Sequence, residues 1–113
     1  MPMIEAAAFV QITTTTAARD DAERIARALV ERKLAACVQI DGPITSYYRW
    51  QGAVQRDEEW RCTVKTRSEL GARVYELVRE LHPYEIPEIL TTPILAGSET
   101  YLRWLTGSTG QET

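Results

Sequence analysis

Few residues in this sequence have chemistry to offer, and most of them stand together. His82-Pro83-Tyr84-Glu85-Ile86-Pro87-Glu88 holds the only histidine, two carboxylates and a phenol within seven positions. An imidazole near a carboxylate is an elementary acid-base pair. No motif sets a serine or cysteine nucleophile beside it, so the sequence reads as non-enzymatic. Pro83 has no amide hydrogen and pushes His82 out of helical geometry, while Pro87 fixes a second torsion. The stretch is therefore a stiff corner between a helix and a strand. His82, at the helix end, reads as a cationic cap on the negative end of the helix dipole. Tyr84, Glu85 and Glu88 are placed to wall a cleft beside it.

Soft-metal chemistry rests on Cys37 and Cys62. One histidine, no Cys-x-x-Cys and no His-x-x-x-His leave a single chain short of the three or four ligands a tight transition-metal site needs. Cys37, with Gln39 and Asp41, reaches that number only if an oligomer repeats it by symmetry. A different reading takes Lys65, Arg67, Tyr84 and Trp50 as charge and stacking for a small anionic ligand. Side chains alone would grip it, because no glycine-rich phosphate loop is present.

The elements that position these residues follow from periodicity. Ala7 to Thr14 reads as a first strand, and Thr13 to Thr16 lead into a helix with Asp20 and Asp21 at its positive end. Ala22, Ile25, Ala26, Leu29 and Val30 make its apolar stripe; Glu23, Arg27 and Glu31 are spaced for exposed ion pairs. Leu34 to Asp41 predicts a second strand, with Val38 and Ile40 on one face and Cys37, Gln39 and Asp41 on the other. Gly42-Pro43 marks a bend before another β-prone run, Ile44 to Trp50. Gln51-Gly52 then turns into a long strand from Ala53 that places Cys62 in phase with core residues.

Thr66 and Glu69 fit a capping box for a second helix, with Ser68 a rival cap. Leu70, Val74, Leu77, Val78 and Leu81 form its stripe, and Pro83 ends it. Glu88 to Leu95 is a last strand that Pro93 demotes to an edge. Gly97-Ser98 precedes a short helix carrying Tyr101, Leu102 and Leu105, and residues 107–113 read as a polar tail.

This order is an α+β, ferredoxin-like βαββαβ sandwich with an extra C-terminal helix and a long β2-β3 hairpin, in a single domain over residues 1–113. Two helices cover one face of its sheet. The other face and the hairpin edge expect a partner chain.

Composition bounds the rest. A net charge of −3 with no basic block gives no electrostatic footprint for nucleic acid or an anionic membrane. No apolar run approaches the roughly 18 residues of a membrane span, and the N-terminus lacks a positive region, so the sequence predicts a soluble, cytoplasmic protein with reduced thiols.

Lys33-Leu34-Ala35-Ala36-Cys37-Val38, Trp50-Gln51-Gly52, Lys65-Thr66-Arg67, His82-Pro83-Tyr84-Glu85-Ile86-Pro87-Glu88 and Tyr101-Leu102-Arg103-Trp104-Leu105 occur in the order of the CutA divalent-cation tolerance family, which the sequence resembles. The resemblance implies a ferredoxin-like protomer, a homotrimer held by inter-chain sheet pairing, and a role in tolerance to copper and other divalent metal ions. In copper-binding members the metal is linked to three cysteines. One of those positions is Cys37; the other two fall on Thr14 and Leu77, which supply no thiolate, whereas copper(I) prefers soft sulfur. Trimeric signalling proteins of the PII type share the fold, and by that analogy the alternative is a sensor binding a small anionic ligand between subunits.

Overall fold

The computed structural model describes residues 7–110. In chain order the elements are β1 (Phe9–Thr16), α1 (Arg19–Glu31), β2 (Cys37–Trp50), β3 (Ala53–Arg67), a single 3-10 turn (Ser68–Leu70), α2 (Gly71–Leu81), β4 (Leu90–Ile94) and α3 (Glu99–Gly107). The strands form one antiparallel sheet in the order β2-β3-β1-β4. This is the ferredoxin-like arrangement expected from the element order. Pro93, which cannot donate to a ladder, lies on β4 at the sheet edge.

The main core lies between one sheet face and the apolar stripes of α1 and α2. Ile12 and Val64 from the sheet meet Ile25, Leu29, Val74 and Val78, all essentially without exposure. Each side chain of that size contributes about 1.5–3 kcal/mol on burial. The α1 stripe is narrower than its spacing suggests, since Val30 is 43% exposed. Arg19–Glu23 and Arg27–Glu31 pair across four residues on the wet side of α1.

Several local expectations are corrected. β1 runs past its expected end at Thr14 to Thr16, because Thr13 to Thr16 pair in register with Thr63 to Trp60 of β3, and α1 follows from Arg19. Residues 37–50 make one strand where two were expected. The bend at Gly42-Pro43 is a bulge between Asp41 and Ile44 within continuous pairing to β3. The capping box does not form. Thr66 is buried and donates its hydroxyl to the Leu34 carbonyl at 2.6 Å, and the Ser68 hydroxyl donates to the Ala7 carbonyl.

Residues 107–110 are no loose tail. Thr109 is fully buried and accepts from Arg67 Nε at 2.9 Å, and the Gly110 amide donates to the Lys33 carbonyl at 2.8 Å. Residues 111–113 lie outside the described part. Tertiary hydrogen bonds of this kind carry no periodic signal.

The hairpin dominates the outline. Gln51 and Gly52 both have positive φ, 51° and 81°, the geometry a two-residue turn needs to match strand twist. β1 ends opposite Trp60, so residues 53–59 pair with β2 alone and extend beyond the sheet as a two-stranded ribbon. The radius of gyration is 15.3 Å, against about 13 Å for a compact chain of this length.

The bulge that aims this ribbon requires glycine. Gly42 has φ +153°, and a β-carbon there would meet the Trp60 ring at 2.8 Å and the Glu59 carbonyl at 2.9 Å. Gly42→Ala is expected to destabilise the protein by about 1–3 kcal/mol, the usual cost of overpacking a tight contact, measured as a lower urea midpoint at unchanged slope. An unchanged midpoint would show that the bulge yields freely.

Candidate functional site

The corner His82 to Glu88 leaves the end of α2 and crosses the end of β1 to reach β4. Helix α2 stops at Leu81, and His82 is already extended at φ −78° and ψ 133°, as the following proline dictates. His82 is buried. Its Nδ1 accepts from the Tyr84 amide at 3.1 Å, so Nε2 carries the proton and donates to the Thr15 carbonyl at 2.8 Å. Burial pushes the imidazole pKa below 6.5, against the raising effect of the Thr15 hydrogen bond, Asp21 and Glu59. His82 is thus a neutral strut tying the corner to β1. The cationic helix cap expected from sequence is absent, because the ring is turned to the Thr15 carbonyl and desolvation outweighs the groups that favour its charged form.

The strut orients Tyr84. The two rings stand 4.7 Å apart, tilted by 58°. The phenol donates to Glu59 Oε2 at 2.7 Å, joining the corner to the ribbon, and burial with this carboxylate raises its pKa. Glu59 is only 8% exposed, although it lies in the run Arg56-Asp57-Glu58-Glu59 that reads as a solvated strand face. Further along the same face, Tyr48 donates to Asp57.

Corner and ribbon enclose a cleft of about 780 Å³, whose lining includes Thr15, Tyr48, Trp50, Glu59, Tyr84 and Glu88. Of the residues singled out by sequence, Trp50, Tyr84, Glu85 and Glu88 come together here. His82 stands behind the wall. Glu59, Tyr48 and Arg49 also line the cleft and were not anticipated, since nothing in a strand's alternation signals which hairpin residues a distant corner will cover.

Cys37 and Lys65 lie elsewhere, as register partners on β2 and β3. They occupy the sheet face opposite Val38 and Val64, and Tyr101 of α3 lies against Cys37; burial and this thiol raise the phenol's pKa. Helix α3 therefore covers one end of the face that the sequence leaves open. Leu105 is fully buried there. Arg67 is engaged by Thr109 and by Glu69 at 2.9 Å. The four residues read as an anion site, Lys65, Arg67, Tyr84 and Trp50, do not converge.

Cys62 is fully buried, contacts the Ala22 carbonyl at 3.6 Å and has its pKa pushed up to about 11 by burial. Such a thiol is inert as a thiolate ligand. Thr14 and Leu77 face the core under the helices, and the Thr14 hydroxyl has no hydrogen-bond partner. Cys37 is on the other side of the sheet from both. Among the described residues no three His, Cys, Asp or Glu side chains are placed to hold a metal ion, so one protomer does not fit a tight copper site. No described helix is long and apolar enough to cross a membrane.

The sheet order and the elements define a ferredoxin-like α+β protein with an overhanging hairpin. The chain belongs to the CutA1 divalent ion tolerance protein family, whose profile matches residues 10–108. It is 46% identical over 99 residues to the divalent-cation tolerance protein CutA of Thermus thermophilus, covering 88% of this chain and 96% of that one. It is likewise 46% identical to the CutA homolog of Xenopus laevis, again over 88% of this chain but only 63% of that longer protein. Among solved structures, CutA1 of Shewanella sp. SIB1 superposes with a TM-score of 0.90 at 38% identity, covering 93% of this chain and 98% of that one. Family members carry names of tolerance proteins and not of enzymes.

The neutral histidine has a pH signature. Its folded pKa lies below the ordinary 6.5, so the unfolded chain takes up the proton first as pH falls. The stabilising contribution of neutral His82 is full above that value and is lost as pH drops toward the folded pKa. Thermal midpoints should fall from about pH 7 to about pH 5, and His82→Gln should flatten that part of the slope. A slope unchanged by the substitution would assign the pH dependence to other groups.

Proposed function

We propose that this protein is a non-catalytic, homotrimeric divalent-cation tolerance protein that takes up copper or another divalent metal ion in its assembled form. The observation that carries the reading is the family match over residues 10–108, joined to relatives named for divalent-cation tolerance. The trimer is supported by the ribbon. A two-stranded hairpin is marginal alone in water, yet this one exposes Tyr47 at 70%, Val54 at 65% and Trp50 at 39%. Pairing with a second copy would satisfy its edge and bury those side chains.

Threefold repetition also addresses the metal. A single Cys37 is no copper site, but three copies supply the number of soft donors that one protomer lacks. Free thiols at Cys37 and Cys62 suit a reducing, cytoplasmic setting. The anionic-ligand alternative loses support because Lys65 and Arg67 stand away from the cleft, whose carboxylates Glu59, Glu85 and Glu88 face a single Arg49.

Native mass spectrometry with and without copper tests both parts. The expected result is a trimer with metal uptake that Cys37→Ser removes and Cys62→Ser leaves intact. A monomer at micromolar concentration would sink the trimer, and uptake lost only in Cys62→Ser would sink the metal assignment. Trp50→Ala should weaken assembly by about 2 kcal/mol, as truncating large interface aromatics commonly does.

A further inference from the structure

We propose that His82 is a proton-operated latch: a proton taken up at Nδ1 releases the Tyr84 amide, and Tyr84 then lets go of Glu59 and frees the ribbon from the corner. The ribbon is the part through which copies of the chain are proposed to pair, so the latch places that assembly under the control of pH. This consequence rests on the trimer reading, whereas the latch itself lies within one protomer.

Both ring nitrogens are committed. Nε2 donates to the Thr15 carbonyl at 2.8 Å, which leaves Nδ1 as the acceptor for the Tyr84 amide at 3.1 Å. An imidazolium has two donors and no acceptor, so the added proton arrives at Nδ1 and meets the Tyr84 N–H head-on. Two donors cannot share that bond. His82 is only 8% exposed, and amide and imidazolium must part before either finds another acceptor.

Tyr84 passes the break on. It is held by its amide on Nδ1, by its ring 4.7 Å from the imidazole, and by its hydroxyl on Glu59 Oε2 at 2.7 Å. Only the last of these reaches the ribbon. Pro83 restricts the backbone that would otherwise absorb the shift, so amide, ring and hydroxyl move together.

The surroundings decide when the latch opens. Asp21 on α1 and Glu59 on β3 favour the charged ring, Arg24 on α1 opposes it, and Asp21 and Arg24 are themselves paired at 3.0 Å. Burial outweighs the favourable charges and holds the ring below its ordinary 6.5. The latch is therefore closed at neutral pH and opens as the pH falls through the folded value.

A double-mutant cycle of Tyr84→Phe and Glu59→Gln, run by urea unfolding of the intact protein at about pH 7.5 and at about pH 5, reads the latch. With His82 present, the coupling should be worth at least about tenfold in the unfolding equilibrium at the higher pH and less than about twofold at the lower. In a His82→Gln background it should be kept at both. A coupling that survives at low pH with His82 present overturns the proposal, and so does one lost equally in His82→Gln, which would mean that Glu59 itself takes the proton. NMR of the unsubstituted protein gives a second reading should His82→Gln fold poorly. The Tyr84 amide proton should titrate with the His82 ring at one midpoint; a ring that titrates while the amide stays still overturns the latch, whatever oligomer is present.

Discussion

The structure depends on a mismatch of strand lengths. β3 has 15 residues, while its inner neighbour β1 has eight. Half of β3 therefore has β2 as its only partner, and the overhanging ribbon has no second layer from its own sheet. What meets it is the corner after α2, anchored by His82 to Thr15 near the end of β1 and by Tyr84 to Glu59. The cleft is the space left between them. The bulge at Gly42 lets the backbone pass close to the Trp60 ring at the base of the ribbon, and two prolines and a buried imidazole stiffen the corner.

The same sheet separates two chemistries by its faces. Cys62, Thr14 and Leu77 lie under the helices, where burial removes a thiol from reactivity and a leucine from ligation. Cys37 lies on the far face, beside Tyr101 and within reach of whatever covers that surface. Helix α3 and the residues through Gly110 cover only one end, held by Arg67, Thr109 and the Lys33 carbonyl. The remainder of that face and the ribbon edge account for the assembly proposed above.

Much of the fold was legible because it is written in period. The stripe of α2, most of that of α1 apart from the exposed Val30, the alternation of β3 around Cys62 and Val64, the stop at Pro83, and the edge position of Pro93 are local patterns, and each has its expected place. The failures were non-local. Nothing near Thr66 announces that its hydroxyl serves Leu34, and nothing near Thr109 announces Arg67. Gly42-Pro43 reads as a break because both residues usually end strands, yet a bulge absorbs them. For the cleft, the corner half was readable from its prolines and aromatic ring. The ribbon half was not, since Glu59 looks like its charged neighbours and is distinguished only by the tyrosine that reaches it.

The central claim is that Tyr84 and Glu59 lock the corner to the ribbon. A double-mutant cycle measures it most directly: urea unfolding of wild type, Tyr84→Phe, Glu59→Gln and the double variant, all at one protein concentration. A phenol donating to a buried carboxylate should give a coupling energy of about 1.5–3 kcal/mol. Additive effects, with coupling near zero, would contradict the account and leave the corner and the ribbon as independent parts.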